Sequence, residues 1–477
     1  MRKRRDEGIG APGKKGIRAA EAKGIRAGGE KEVLGRIRPG KEEHNHTWAV
    51  ATEILSAVGE DGRAKGMVVG SVARDTWLSG EKDLDIFLLL PPSLSREELE
   101  ETGLDLARKI ARRFAGSFRE KYAEHPYVNA TIDGLDVDLV PCYEVASAAK
   151  IQSAVDRTPF HTRYIAEKIA PLRDDVLLAK QFAKACGVYG SDQMTEGFSG
   201  YLFELLVLHY GGFTPLLEAA AAWKPGTCID LEGHACKAFE EPLRVVDPVD
   251  PARNVAAALS GTRMFEFVEY SRGYLESPSP DFFFPPGSGG MDREGFARVL
   301  ARRGTYLYAL TCATPPLIPD IVVPQLRRSL ASVRGLLVRH GFPVLQDDCA
   351  MGEDRSILVL ELLVDRLPSV TRHMGPPLWD RANAGKFADK YWGNPFSGPF
   401  IRDGRYHVDL DREFTSAGDL LRSPEILSVG LGKHVKQSME RGWEVSEGPD
   451  VWRDEFAGFL SRFIEPASPL ARLKRGS

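Results

Sequence analysis

Cysteine is scarce in this chain: six in 477 residues, none spaced as a C-x-x-C pair. That excludes a disulfide framework and fits a reducing compartment. Long apolar runs are missing too. The best, such as Ile86–Leu90 and Ile357–Leu360, fall well short of the roughly 18 residues needed to cross a bilayer. The N-terminus is basic, but no apolar segment follows it, so nothing there reads as a secretory signal. The expected location is the cytoplasm. Apolar residues at 43% and charged residues at 27% exclude a wholly disordered or fibrous chain. The length suggests three or four domains, and no internal repeat is detectable.

The net charge of −4 hides an asymmetry. Through Lys41 there are 13 basic and 5 acidic residues, net +8, and the remainder carries 50 and 62, net −12. Residues 1–42 lack apolar periodicity and read as a disordered, basic, Gly-rich extension. Such an arm attracts phosphate without specificity, or serves only solubility. The acidic remainder excludes wholesale coating of nucleic acid, so any RNA site must be local.

Periodicity begins near His44. A helix over Thr47–Val58, a strand at Met67–Val69, a first helical turn over Ala73–Leu78 and an apolar strand Leu84–Leu90 follow one another. Ser95 and Glu98 form a capping signature for a helix reaching Phe114. Asp133-Gly134 between Tyr127–Ile132 and Leu135–Val140 signals a hairpin. Together these predict an α/β domain over residues 43–152. Residues 153–284 read as a helical central domain, and 285–477 as an α+β tail.

The chemistry concentrates in Gly70-Ser71, Asp83-Leu84-Asp85 and Asp138. On a strand, Asp83 and Asp85 point to one face. Paired carboxylates repel each other unless a cation holds them. Mg²⁺ takes hard oxygen ligands, and Asp138 on a neighbouring hairpin strand would complete a two-metal clamp for attack on a phosphate. Gly70-Ser71 leading into a helix offers amides and a hydroxyl to phosphate oxygens, and Arg74 adds a charge-assisted contact.

This ordered set resembles the nucleotidyltransferase superfamily that includes DNA polymerase β and poly(A) polymerases. Within it, Gly70–Leu78, Tyr122–Val128, Val137–Tyr143, Ser153–His161, Gly197–Leu202, Val246–Asp250 with Arg253–Ala256, and Arg372–Pro376 resemble the archaeal, class I CCA-adding enzymes. The resemblance implies a polymerase β-like head, and a tRNA nucleotidyltransferase that builds the 3′-terminal CCA from CTP and ATP, without a template, releasing pyrophosphate. It implies that Asp83, Asp85 and Asp138 bind the metals, that Ser71 and Arg74 contact the triphosphate, and that His161, Lys180 and Tyr189 line the nucleotide site. It also points to a homodimer. One departure is Asp83, where the family often has Glu.

Arg253 is the candidate for reading the base edge, because a guanidinium fork meets base acceptors, with Asp250 nearby to hold it still. The tail is expected to grip the tRNA acceptor stem and TΨC arm by backbone and shape. Cys228, His234 and Cys236 lack the second pair of a zinc site. Tyr391, Trp392 and Phe396 near Lys386 and Lys390 read as core packing, with RNA stacking as the alternative. The competing functions are a poly(A) polymerase-like terminal transferase and a catalytically idle RNA-binding protein.

Overall fold

The computed structural model describes residues 29–114, 117–122, 126–235, 237–287 and 290–476. It divides into one unit running through Gly287 and resuming at Ser468, and a second running to Ala467. Among the described residues, no helix is long and apolar enough to cross a membrane. The described chain opens with α1, residues 29–37, whose Val33 and Ile37 are buried in the core of the central domain. The expected disorder through residue 42 therefore fails from residue 29 onward, because an i, i+4 apolar pair suffices to dock this short helix. Residues 1–28 lie outside the described ones.

The head follows as α2 (Lys41–Asp61), β1 (Lys65–Val68), α3 (Gly70–Arg74), β2 (Asp83–Leu90), α4 (Arg96–Phe114), β3 (Phe118–Tyr122), β4 (Pro126–Ile132) and β5 (Leu135–Tyr143). Its five strands lie in the order β1-β2-β5-β4-β3. The capping box at α4 forms as read, with the Ser95 amide donating to Glu98 at 2.7 Å and the Glu98 amide to Ser95 Oγ at 3.2 Å. Asp133 and Gly134 take φ of 48° and 81°, the left-handed pair a tight hairpin turn requires. The first helix after β1 starts at Gly70 and stops at Arg74, earlier than expected, where Asp75 turns left-handed at φ 55°. The edge strand β3 is an addition. Of the Tyr122–Val128 motif, residues 123–125 lie outside the described residues.

The central domain has α5 (Thr158–Ala166), α6 (Arg173–Cys186), α7 (Gly200–Tyr210), α8 (Phe213–Ala220) and, after β6 (Thr227–Asp230), β7 (Leu243–Asp247) and β8 (Asp250–Asn254), α9 (Gly261–Glu276). It is mostly helical, as expected, with a three-stranded sheet β6-β7-β8 that sequence reading did not name. Its core centres on Phe182 of α6, fully buried among Phe213, Phe267, Tyr270, Tyr274, Phe282 and Phe283 with ring centroids 4.8–6.2 Å away.

The second unit contains α10 (Arg293–Arg303), β9 (Tyr306–Ala313), α11 (Pro319–Arg339), β10 (Val344–Met351) and β11 (Arg355–Leu362). There follow β12 (Val370–Pro377), α12 (Arg381–Tyr391), β13 (Phe400–Arg402), β14 (Arg405–Asp411), α13 (Ala417–Arg422), α14 (Lys433–Glu440), β15 (Glu444–Glu447) and α15 (Ala457–Ile464). Its main sheet runs β10-β11-β9-β15. Alternation along β11 sends Leu358, Leu360 and Leu362 into one core and Ile357 and Val359 into another. The smaller sheet β12-β14-β13 neighbours α12, and there Trp392 is 76% and Phe396 46% exposed. They are not core residues, against expectation. The last helix, α16 (Pro469–Gly476), belongs to the first unit, where Leu470 closes over Gly273 of α9, so the tail does not extend to residue 477.

Because Phe182 sits at the centre of six aromatic neighbours, Phe182→Ala should cost the first unit about 3–5 kcal/mol. Chemical denaturation followed by tryptophan fluorescence measures it, and a loss under 1 kcal/mol would mean the cluster collapses onto the cavity.

Candidate active site

Strands β2 and β5 run parallel in a register that sets Asp83 beside Asp136 and Asp85 beside Asp138. Since side chains alternate, all four carboxylates stand on one face of the two central strands. Sequence reading named three of them and missed Asp136, although the Leu135-Asp136-Val137-Asp138 alternation carried the signal. Asn129, across on β4, donates to Asp136 and, at 2.7 Å, to Asp138. Among the described residues, no Lys or Arg forms an ion pair with any of the four. Burial pushes the Asp85 carboxyl up to about 6, with Asp138 and Asp83 adding repulsion. Burial also raises Asp138, against the Asn129 hydrogen bond, and raises Asp83 with help from Glu81 and Asp136. The donors are the hard oxygens a divalent ion takes, yet among the described residues no three His, Cys, Asp or Glu side chains already converge as a metal-holding group.

The Gly70-Ser71 turn packs directly on this face. Gly70 has φ 70°, and a Cβ there would lie 2.2 Å from Asp85 Oδ2, so only glycine allows the approach. The same glycine lines a cavity of about 700 Å³ whose walls include Arg74, Arg157, His161, Tyr201 and Arg253. Gly70 thus borders both the carboxylate face and the cavity.

Arg74 is almost fully buried and directs Nε to Glu204 Oε1 of α7 at 2.9 Å, with Nη1 3.3 Å from the Thr162 hydroxyl. The Thr76 hydroxyl donates to the same Glu204 oxygen at 2.5 Å. Lys180 is 1% exposed and its ammonium donates to the Thr76 carbonyl at 2.6 Å. Burial lowers its pKa, with Glu204 opposing. Tyr189 is half-buried, and burial holds its phenol above the usual range. A Cβ on Gly200 would stand 3.1 Å from the Tyr189 hydroxyl and 3.4 Å from Lys180 Nζ, so both polar ends meet at the start of α7. Of the nine residues proposed from sequence, Arg74, His161 and Arg253 line the cavity; Ser71, Lys180, Tyr189 and the three aspartates do not.

At the far wall, Asp247 of β7 is fully buried. His161 Nε2 lies 2.8 Å and Arg253 Nη1 2.7 Å from its Oδ2. Asp250 instead holds Arg157, at 2.8 Å. The expectation that Asp250 steadies Arg253 is therefore wrong: the Arg253 side chain ends on Asp247. Glu204, Asp247 and Arg157 were not singled out by sequence reading. Asp247 and Arg157 lay inside the quoted motifs; Glu204, an acid in an apolar helix, was the available signal. Cys236 lies outside the described residues.

Three family models tile the chain: a nucleotidyltransferase domain over residues 51–161, the second domain of tRNA nucleotidyltransferase over 174–284, and the C-terminal domain of the CCA-adding enzyme over 303–448. The CCA-adding enzyme of Methanoregula boonei is 58% identical over 94% of this chain and 97% of its own length. That of Methanothermobacter thermautotrophicus is 42% identical over 92% and 98%. A solved structure of E. coli MS115-1 CdnC with ATP overlays with a TM-score of 0.43 at 17% identity, covering 54% of this chain and 94% of that one. With identity this high across nearly the whole length, and with the head, central and C-terminal models in their family order, the chain belongs to the CCA-adding enzymes, a family of tRNA nucleotidyltransferases.

Proposed function

We propose that this CCA-adding enzyme joins two CTP-derived nucleotides and one ATP-derived nucleotide to a tRNA 3′ end at the aspartate face of β2 and β5. The tRNA 3′ oxygen attacks the α-phosphorus, the bond to the bridging oxygen breaks, and pyrophosphate leaves. Asp83, Asp85 and Asp138 are the residues that would hold Mg²⁺, which when bound supplies positive charge to the reacting oxygens and phosphate. The observation that carries this reading is the Asp85–Asp138 register, with both carboxyls raised and neither paired to a cation.

The chain's own residues do the positioning. Asn129 fixes Asp138, Gly70 brings the Ser71 turn against Asp85, and Arg74, held by Glu204, lines the cavity wall where the triphosphate would sit. Lys180 and Tyr189 support that corner from beneath. Arg253 and His161 meet the base and sugar at the far wall. The tail binds the acceptor–TΨC region, and its exposed Trp379 and Trp392 (75% and 76%) beside Lys386 and Lys390 suit stacking on RNA. The family resemblance supports a homodimer working in the cytoplasm, and light scattering on the purified chain should give twice the chain mass.

The direct test is nucleotide addition to a tRNA transcript lacking CCA, resolved on a sequencing gel. Two additions with CTP, and a third only with ATP, are expected; long ATP-only tails would make the chain a poly(A) polymerase-like enzyme. Asp85→Ala should lower addition by about a thousandfold or more with tRNA affinity nearly unchanged, and retained turnover would sink the metal assignment.

A pH test follows from the raised Asp85 carboxyl. An aspartate with a folded value of about 6 against 3.8 destabilises the fold once ionised. The cost is absent below about pH 4, grows to about pH 6 and is full above it. In chelator-treated protein, Asp85→Asn should therefore gain on the parent across that window, by about 2–3 kcal/mol at its top. A pH-independent difference in thermal denaturation would refute it.

A further inference from the structure

Asp247 touches neither the carboxylate face nor the open cavity, yet the two side chains that close the cavity's far wall both end on it. Its carboxylate has no exposed surface. Oδ2 takes His161 at 2.8 Å and Arg253 at 2.7 Å, and Oδ1 accepts the Val249 amide at 3.0 Å and faces the Tyr201 hydroxyl at 3.5 Å. Burial alone would push this carboxyl up; the His161 hydrogen bond and charge, the Val249 amide and Arg253 outweigh it and hold it below the ordinary carboxylate value. Asp247 therefore remains ionised and is an acceptor only.

Two consequences follow for its partners. The His161 nitrogen facing an ionised carboxylate must carry a hydrogen, which leaves Nδ1 as the ring's other polar atom. Tyr201 stacks on that ring with centroids 4.3 Å apart, so the ring can neither flip nor tilt freely. Arg253 has spent one corner of its guanidinium on Asp247 while the side chain stays 39% exposed, so the remaining N–H groups keep a fixed direction. An unheld arginine carries about 2 kcal/mol of rotamer freedom and would meet cytosine and adenine acceptors from many angles.

We propose that Asp247 is a positioning residue for base selection: it fixes the Arg253 fork and the His161 ring so that CTP and ATP are accepted in order and other nucleotides are rejected. The proposal rests on the reading of Arg253 as the base-contacting group. Discrimination between bases depends on donors held in one place, and both wall residues end on Asp247.

The test measures kcat/KM for CTP, ATP, UTP and GTP on tRNA lacking CCA and on tRNA ending in CC, using the full chain. The variants are Asp247→Asn, Arg253→Ala and the double change, with melting temperature and tRNA affinity recorded for each. Asp247→Asn should lower discrimination by about tenfold or more while tRNA affinity holds, and should add little on the Arg253→Ala background, because the fork it positions is gone. Wild-type discrimination in Asp247→Asn alongside lost discrimination in Arg253→Ala would overturn the positioning role. Wild-type discrimination in Arg253→Ala would instead overturn the base-reading assignment itself. If Asp247→Asn does not fold, Asp247→Glu keeps the charge and moves it outward by one methylene. It should fall between parent and Arg253→Ala, and full parental discrimination there would overturn the proposal.

Discussion

The contact on which the site depends is buried at the junction of head and central domain. Glu204, on the apolar helix α7, has no exposed surface and receives Arg74 Nε and the Thr76 hydroxyl from the head. Lys180 of α6 reaches the carbonyl of the same Thr76. Head and central domain are therefore tied through one charged knot, set immediately behind the Gly70-Ser71 turn. Breaking a buried ion pair by removing one partner leaves an uncompensated charge and costs about 3–5 kcal/mol. The turn cannot drift from the far wall without exposing Arg74 or stranding Glu204, whose Oε2 already lacks a hydrogen-bond partner. That constraint holds the Gly70-Ser71 turn, whose glycine borders both the carboxylate face and the cavity, against the central domain.

Much of the head was legible because its signals are local. Asp133-Gly134 dictates a hairpin, Ser95 and Glu98 dictate a helix start, and alternation puts Asp83 and Asp85 on one face. The strand pairing that sets Asp85 beside Asp138 is not local, but the ordered motif of the superfamily implied it. What stayed hidden were elements whose formation depends on a partner. β3 reads Phe-Arg-Glu-Lys-Tyr, three charged residues in five, and is a strand only as the outer partner of β4. β8 carries Pro251 within it, tolerable because it lies at the sheet's edge, and with Pro248 in the preceding turn it disguises the hairpin with β7.

The site residues divide the same way. Arg253 stood out by its chemistry, but its anchor did not: Asp250 is three residues away and Asp247 six, and the nearer acid is not its partner. Asp250 takes Arg157 and Asp247 takes Arg253. Trp392 and Phe396 show the converse. An aromatic beside lysines has the same sequence signature in a core as on an exposed face, and composition cannot separate the two.

The aspartates themselves report what the site lacks and what it has already satisfied. Asp85 is half-buried and Asp247 fully buried, yet burial wins at Asp85 and loses at Asp247. The difference is the donors. Asp247 meets an imidazole, a guanidinium and an amide supplied by its own chain, so its charge is settled before any ligand arrives. Asp85 is flanked by other carboxylates and the backbone of Gly70, and Arg74 attracts it without forming an ion pair. No side-chain repacking within β2 and β5 could supply a cation there, since the neighbouring positions on that face are themselves acidic. Asp247 is thus balanced by donors that touch it, whereas Asp83, Asp85 and Asp138 feel Arg74, Lys121 and Lys184 only without an ion pair, too weakly to offset burial and mutual repulsion.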